Sequence, residues 1–193
     1  MTEVELAAGN PNVAERRSNV RPRGSVPAEQ SALFAKFPLL FRAVASQEVH
    51  PSNIGNFGIQ CGTGWYPLIE EAARLIEHEL LEMSRNQLVQ SKNIAALEHA
   101  VLMENTGKPY PVLPLCTDIQ QVNGALAIVI VQGFLVDPVV WQRVLAVVHA
   151  TREKSRAVCE NCGVPGKMRP VYWRHVYCED CIAPIGPLDD EDE

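Results

Sequence analysis

Six cysteines stand in this 193-residue chain, and four of them form two Cys-x-x-Cys pairs, Cys159-Glu-Asn-Cys162 and Cys178-Glu-Asp-Cys181, with fifteen residues between the pairs. A thiolate is a soft anionic ligand, and two CxxC turns at this separation bring four of them round one tetrahedral ion. The spacing therefore predicts a structural zinc (Zn2+) site. Gly163, directly after the first pair, allows a turn that aims backbone N–H groups at the sulfurs, and Val164-Pro165-Gly166 fits a type II turn. Met168 to Tyr172 and Arg174 to Tyr177 would supply two arms between the knuckles, with Tyr172, Trp173 and Tyr177 covering the ion or packing on the main domain.

Four sulfurs close the coordination shell and leave no position for water or substrate, so this chemistry is structural rather than catalytic. A segment this short cannot bury enough core to fold unaided, and the ion must supply the difference. Structural zinc contributes roughly 10–16 kcal/mol in small peptides. An iron site of rubredoxin type and a dithiol redox pair are competing uses of the same residues. His175, inside the loop, is an alternative ligand to a shell that the cysteines already complete.

Other chemistry-bearing residues are sparser. Gly62-Thr63-Gly64 before a helix start reads as a tight turn or an anion cradle, but Pro67 occupies the place of the third glycine of a dinucleotide fingerprint and no P-loop lysine follows. His78-Glu79 lacks the second histidine of a zincin motif, because position 82 is Glu82. His50, His99 and His149 stand alone as surface or satisfied core residues, and no nucleophile, base and orienter set is legible. The expectation is a protein that is not an enzyme.

Charge limits the partners. The formal net charge of −6 opposes strong non-specific attraction to nucleic acid. Locally, though, residues 152–174 hold Arg152, Lys154, Arg156, Lys167, Arg169 and Arg174 against Glu153 and Glu160, an excess of +4. Together with Arg16, Arg17, Arg21 and Arg23 near the N-terminus, these six residues are the candidate nucleic-acid contacts of a second reading. No basic cluster followed by an apolar run opens the sequence, so no secretory signal is read, a cytoplasmic location is expected, and Cys61 and Cys116 are expected to be reduced thiols. The charge-free stretch from Ile119 to Val136 is interrupted by Gln120, Gln121, Asn123, Gly124 and Gln132, which suits a buried core segment and not a membrane span.

The elements that must position the cysteines follow from periodicity. Residues 1–30 lack an apolar repeat and read as a disordered arm. Leu33, Phe34, Phe37, Leu40, Phe41 and Val44 recur at helical spacing, with Pro38 restarting or bending the helix. Phe57 to Tyr66 reads as a short strand entering a glycine turn. A helix over about 66–83 puts Leu68, Ile69, Ala72, Leu75, Ile76 and Leu80 on one stripe, and a second over about 86–104 carries Leu88, Ile94, Ala95, Leu97, Val101 and Leu102. Asn123-Gly124 between residues 118–122 and 125–131 demands a type I′ hairpin, whose second arm, apolar on both faces, should be covered by helices. Asp137-Pro138 caps a helix reaching about Lys154 with Val140, Val144, Leu145 and Val148 inward. The reading is an α+β fold, helices packed on a small antiparallel hairpin, with residues 31–156 as core, 157–183 as a zinc ribbon and 184–193 as an acidic tail.

Phe57-Gly58-x-x-Cys61-Gly62-x-Gly64-Trp65 before an amphipathic helix, the later hairpin, and Cys159-Glu-x-Cys162-Gly163-x-Pro165-Gly166 followed by Trp173 and Cys178-x-x-Cys181 resemble a group of uncharacterised proteins common in tailed phages and prophages. The resemblance spans about residues 33–182. Thr63 stands where those proteins usually carry an acidic residue, and the second hairpin arm is more apolar than theirs. The resemblance implies a phage or prophage setting, with a protein partner in the host and an anti-defence role as one outcome.

Overall fold

The computed structural model describes residues 28–86, 93–104, 111–169 and 174–182. The Arg-rich arm, the acidic tail, Tyr172 and Trp173 lie outside those residues, as does Leu88. Element order is α1 (Ala28–Lys36), α2 (Arg42–Ala45), α3 (Asn53–Phe57), a single 3-10 turn (Thr63–Trp65), α4 (Tyr66–Asn86), α5 (Ile94–Glu104), β1 (Leu115–Gln121), β2 (Leu126–Val131), α6 (Pro138–Ser155), β3 (Lys167–Arg169) and β4 (His175–Tyr177). Helices packed on the antiparallel β1-β2 hairpin make the core, and β3-β4 is a separate small antiparallel pair between the cysteine turns.

The hairpin closes as its turn chemistry requires. Asn123 and Gly124 sit at φ 53° and 73°, and Val122 and Ala125 exchange backbone bonds of 2.8 and 3.2 Å. α6 begins where Asp137 Oδ1 accepts from the amides of Val139 (2.8 Å) and Val140 (3.1 Å), with Pro138 in the first turn. At its far end the Ser155 hydroxyl accepts from the Leu126 amide (2.8 Å) and donates to the Arg152 carbonyl (2.6 Å), tying the helix to the edge of β2.

Several expectations need correction. Residues 57–66 are not a strand: Phe57 ends α3, Gly58 at φ 68° terminates it, and only Gln60 makes a single parallel bridge to Gln120. The core stripe of α4 is Ile69, Ala72, Ala73, Ile76, Leu80 and Met83, while Leu75 is turned to solvent, as is Leu145 on α6. β2 is covered on one face only: α6 lies against it and Leu126 and Ile128 are buried, whereas Val129 (42%) and Val131 (38%) are exposed. α1 starts within the arm read as disordered, and Gln30 is buried against Ile59 and Tyr66.

α5 departs most from its sequence pattern. Among its described side chains Ile94 and Glu98 are buried, while Ala95 and Leu97 face solvent. Glu98 meets Arg42 through Nη2 at 2.8 Å and His50 Nε2 at 2.8 Å, and accepts from the Val112 amide at 2.8 Å. The Arg42 guanidinium also donates to the carbonyls of Leu39 (2.6 Å), Pro114 (2.9 Å) and Leu113. One ionic cluster thus ties α2, α5 and the strand entering β1. Burial alone would raise the Glu98 carboxyl, but His50, Arg42 and the amide favour its charged form and bring it down to about 2. Glu77 gives the contrast. It accepts from the amides of Leu39 (3.0 Å) and Leu40 (2.8 Å), yet burial dominates and its carboxyl is pushed up.

Candidate metal centre

The four cysteines of the two pairs converge. Their sulfurs all lie within 4.8 Å of one another, and Cys162 Sγ is 3.6 Å from Cys178 Sγ. A tetrahedral ion with metal–sulfur bonds of about 2.3 Å places its sulfurs about 3.8 Å apart, whereas a disulfide needs about 2.05 Å. The donor set therefore fits a metal ion, and all six cysteines are free thiols.

Local folding explains the convergence. The Cys159 amide donates to the Val164 carbonyl (2.7 Å), the Gly163 amide donates back to the Cys159 carbonyl (2.9 Å), and Gly166 donates to Ala157 (2.9 Å). Gly163 takes φ 81°, the left-handed conformation that lets the chain reverse directly after Cys162. The type II turn expected at residues 164–166 does not form, because the reversal is complete at Gly163 and Pro165 already bridges antiparallel to Val158. The second pair follows β4, whose Val176 carbonyl accepts from the Glu160 amide (2.8 Å).

The electrostatics are those of thiols sharing one small volume. Burial acts to raise Cys159, but backbone amides of Cys162, Cys178 and Asn161 directed at its sulfur lower it to about 6. At Cys162 the Val164 amide lowers the thiol, while the neighbouring Cys181 and Cys159 push it up to about 12. Cys181 accepts from the Asn161 side-chain amide (3.3 Å), yet its thiol is also raised among its neighbours. A cation at the centre offsets the mutual repulsion that otherwise holds protons on the remaining sulfurs. Cys61 lies outside the cluster and its thiol is raised to about 12, by burial first and by the Glu160 charge second. Cys116, fully buried, is likewise raised to about 12, chiefly by burial.

His175 is not a ligand here. Its Nδ1 meets Glu160 Oε2 at 2.6 Å and its ring stacks on Tyr177 at 5.5 Å between centroids. Glu160 in turn accepts from the Gly62 amide through Oε1 (3.1 Å). This contact opens a relation that sequence reading missed. The Cys61-Gly62-Thr63-Gly64-Trp65 segment is the socket into which the first cysteine turn docks: Gly64 N–H donates to the Glu160 carbonyl (2.8 Å), Thr63 Oγ1 to the Asn161 carbonyl (3.3 Å), and the fully buried Trp65 indole to the Val158 carbonyl (2.8 Å). A Cβ on Gly64 would stand 2.3 Å from the Cys159 carbonyl oxygen and 2.5 Å from the Gly163 nitrogen. The glycines read as a turn or anion cradle serve close approach of two backbones. Gly64→Ala is expected to cost about 1–3 kcal/mol by overpacking, lowering the thermal midpoint by several degrees at this chain length; a calorimetric scan without that drop would contradict the docking.

The candidate basic residues lie at the end of α6, on β3 and just before β4. Arg152 and Lys154 occupy the last turn of α6, where cations suit the helix dipole. Arg156 pairs with Glu153 (3.4 Å), and Lys167 (3.0 Å) and Arg169 (2.8 Å) share Glu179, which lies just beyond the stretch whose excess was counted. Arg174 is exposed in the turn just before β4, its carbonyl accepting from Gln121 Nε2 (3.2 Å). Three of the six are thus ion-paired, with two carboxylates between them, and Glu179 brings the local excess from +4 to +3. Among the described residues no helix is long and apolar enough to cross a membrane.

No family model, curated protein or solved structure matches this chain.

Proposed function

We infer that the chain is a non-enzymatic, zinc-stabilised accessory module that binds a protein partner. The observation that carries this reading is the closed four-sulfur cluster clamped onto the Gly62 to Trp65 socket. All four tetrahedral positions are taken by cysteine, so the ion fixes a surface and offers no site for substrate. Zinc is the ion proposed because it takes four thiolates tetrahedrally with no redox demand. The exposed side chains of Phe57 (68%) and Met103 (71%) supply apolar contacts of the kind protein partners bury. The resemblance to phage and prophage proteins points to a host protein, with a defence component as one class. Pairing of Arg156 with Glu153, and of Lys167 and Arg169 with Glu179, weighs against the nucleic-acid reading.

Two measurements test the reading. Metal analysis of the purified chain is expected to return one zinc per chain; iron with visible absorption would replace zinc by a rubredoxin-type centre. Affinity capture from a bacterial host is expected to retain a protein with the native chain and lose it with Cys178→Ser/Cys181→Ser. Recovery of nothing by either form, or of nucleic acid with salt-sensitive affinity, would overturn it.

A further inference from the structure

β2 ends the core sheet, and its outer edge carries no charge, proline or bulge. In the β1-β2 ladder the mutual bonds of Val122 and Ala125 set the alternation. Ala127, Val129 and Val131 therefore turn their backbone groups toward β1, and Leu126, Ile128 and Ile130 turn theirs outward. The corresponding outer edge of β1 is covered: the Ile119 carbonyl and the Gln121 amide bond to Gln60. On β2 the Leu126 amide is satisfied, by Ser155 Oγ at 2.8 Å. Among the described residues nothing pairs with the outward N–H and C=O of Ile128 and Ile130. Monomeric proteins blunt such an edge with lysine, proline or a bulge in the edge strand. From Ala125 to Val136 there is no charge and no proline, and the one irregularity of the ladder lies in β1, between Cys116 and Asp118.

We propose that two copies of this chain pair their β2 strands antiparallel about a two-fold axis at Val129, forming one continuous four-stranded sheet. The register follows from what is open. Ser155 occupies the edge at Leu126, so Ile128 and Ile130 remain, and a centre at Val129 sets Ile128 of one copy against Ile130 of the other on both sides of the axis. That choice satisfies both outward residues of each strand, whereas a centre at either isoleucine leaves one behind. It also places the exposed Val129 against its own counterpart and exposed Val131 against Ala127, extending the solvent-side apolar face across the seam. A second copy is the fitting occupant because a two-fold axis repeats every side chain against its symmetry mate. An edge with no charge meets its mate without like-charge repulsion, whereas nothing along it offers the opposite charge that would select a charged partner.

The test uses the full metal-loaded chain. Sedimentation is expected to give a dimer, and Val129→Lys, a change on the solvent face, is expected to give a monomer with unchanged far-ultraviolet circular dichroism. Across the axis the Val129 pair is non-hydrogen-bonded, with Cα atoms about 4.5 Å apart, within disulfide reach. Val129→Cys should therefore cross-link into a covalent dimer on mild oxidation, and Val131→Cys, which faces Ala127, should not. A native chain that stays monomeric at every soluble concentration overturns the proposal, including a monomer that instead binds an added strand peptide at this edge. So does a dimer that survives Val129→Lys, or one that cross-links equally through position 131.

Discussion

Stripping the metal from the native chain under reducing conditions is expected to release residues 157–182 from the core while α4, α6 and the hairpin stay folded. Among the described residues of the ribbon the fully buried side chains are Val176 and Cys159, and its two short strands pair over only three residues each. Such a segment has no core to replace an ion contributing on the order of 10 kcal/mol. The core keeps its own apolar contacts through Ile69, Ile76, Leu80, Ile119 and Leu126. Release should be visible at Trp65, whose indole is held by the Val158 carbonyl at 2.8 Å. Its emission should shift to the red as that carbonyl and the Cys159 turn depart and water enters the socket. In hydrogen exchange the amides of Cys159, Glu160 and Gly166, all bonded within or to the ribbon, should lose protection, and Cys178→Ser/Cys181→Ser should reproduce the chelated state without chelator. Retained protection at those three amides after complete metal removal would show that the docking alone holds the ribbon.

The socket also separates the parts of the site that were legible in the sequence from those that were not. The two CxxC pairs, Gly163, the Asn123-Gly124 turn and the Asp137-Pro138 helix start are local devices: each works through neighbours a few positions away, so the residue string contains the whole cause. The docking of Gly62 to Trp65 on the cysteine turn joins residues 98 positions apart, and nothing in the string states which glycine is small for a turn and which for a close approach. The FGxxCGxGW segment was visible, but its partner was not. α5 misled for a different reason. Its apolar residues read as a core stripe, and that pattern assigns no role to the single interior carboxylate, Glu98. Its inward face is instead chosen by Arg42, 56 residues away, and His50, 48 residues away. A lone acidic residue inside an otherwise apolar helix was the available signal, because a strongly apolar helix with one charge must either expose it or supply a cation.

Replacing that carboxylate is therefore expected to be the most damaging single change outside the metal site. Glu98→Gln keeps the shape and one acceptor but leaves the Arg42 guanidinium, 7% exposed, without its counter-charge. Orphaning one member of a buried pair costs about 3–5 kcal/mol, which at this chain length corresponds to a fall in thermal midpoint of roughly 10 °C. The pH dependence supplies the specific check. A carboxyl brought down to about 2 in the folded chain and titrating near its ordinary value when unfolded contributes stability that is fully present above the unfolded value. That contribution declines as pH falls from about 5 toward 2, and from the shift alone it amounts to about 3 kcal/mol. The glutamine chain has no such group, so the stability difference between the two proteins should be largest near neutrality and should shrink through that window. Acid also protonates the cysteine ligands and weakens metal binding, but it does so in both chains, and the difference between them isolates Glu98. A difference that stays constant from neutrality to the acid limit would mean that Glu98 is held by packing and amide contacts and not by its charge, and the ionic account of how α5 is anchored would fail.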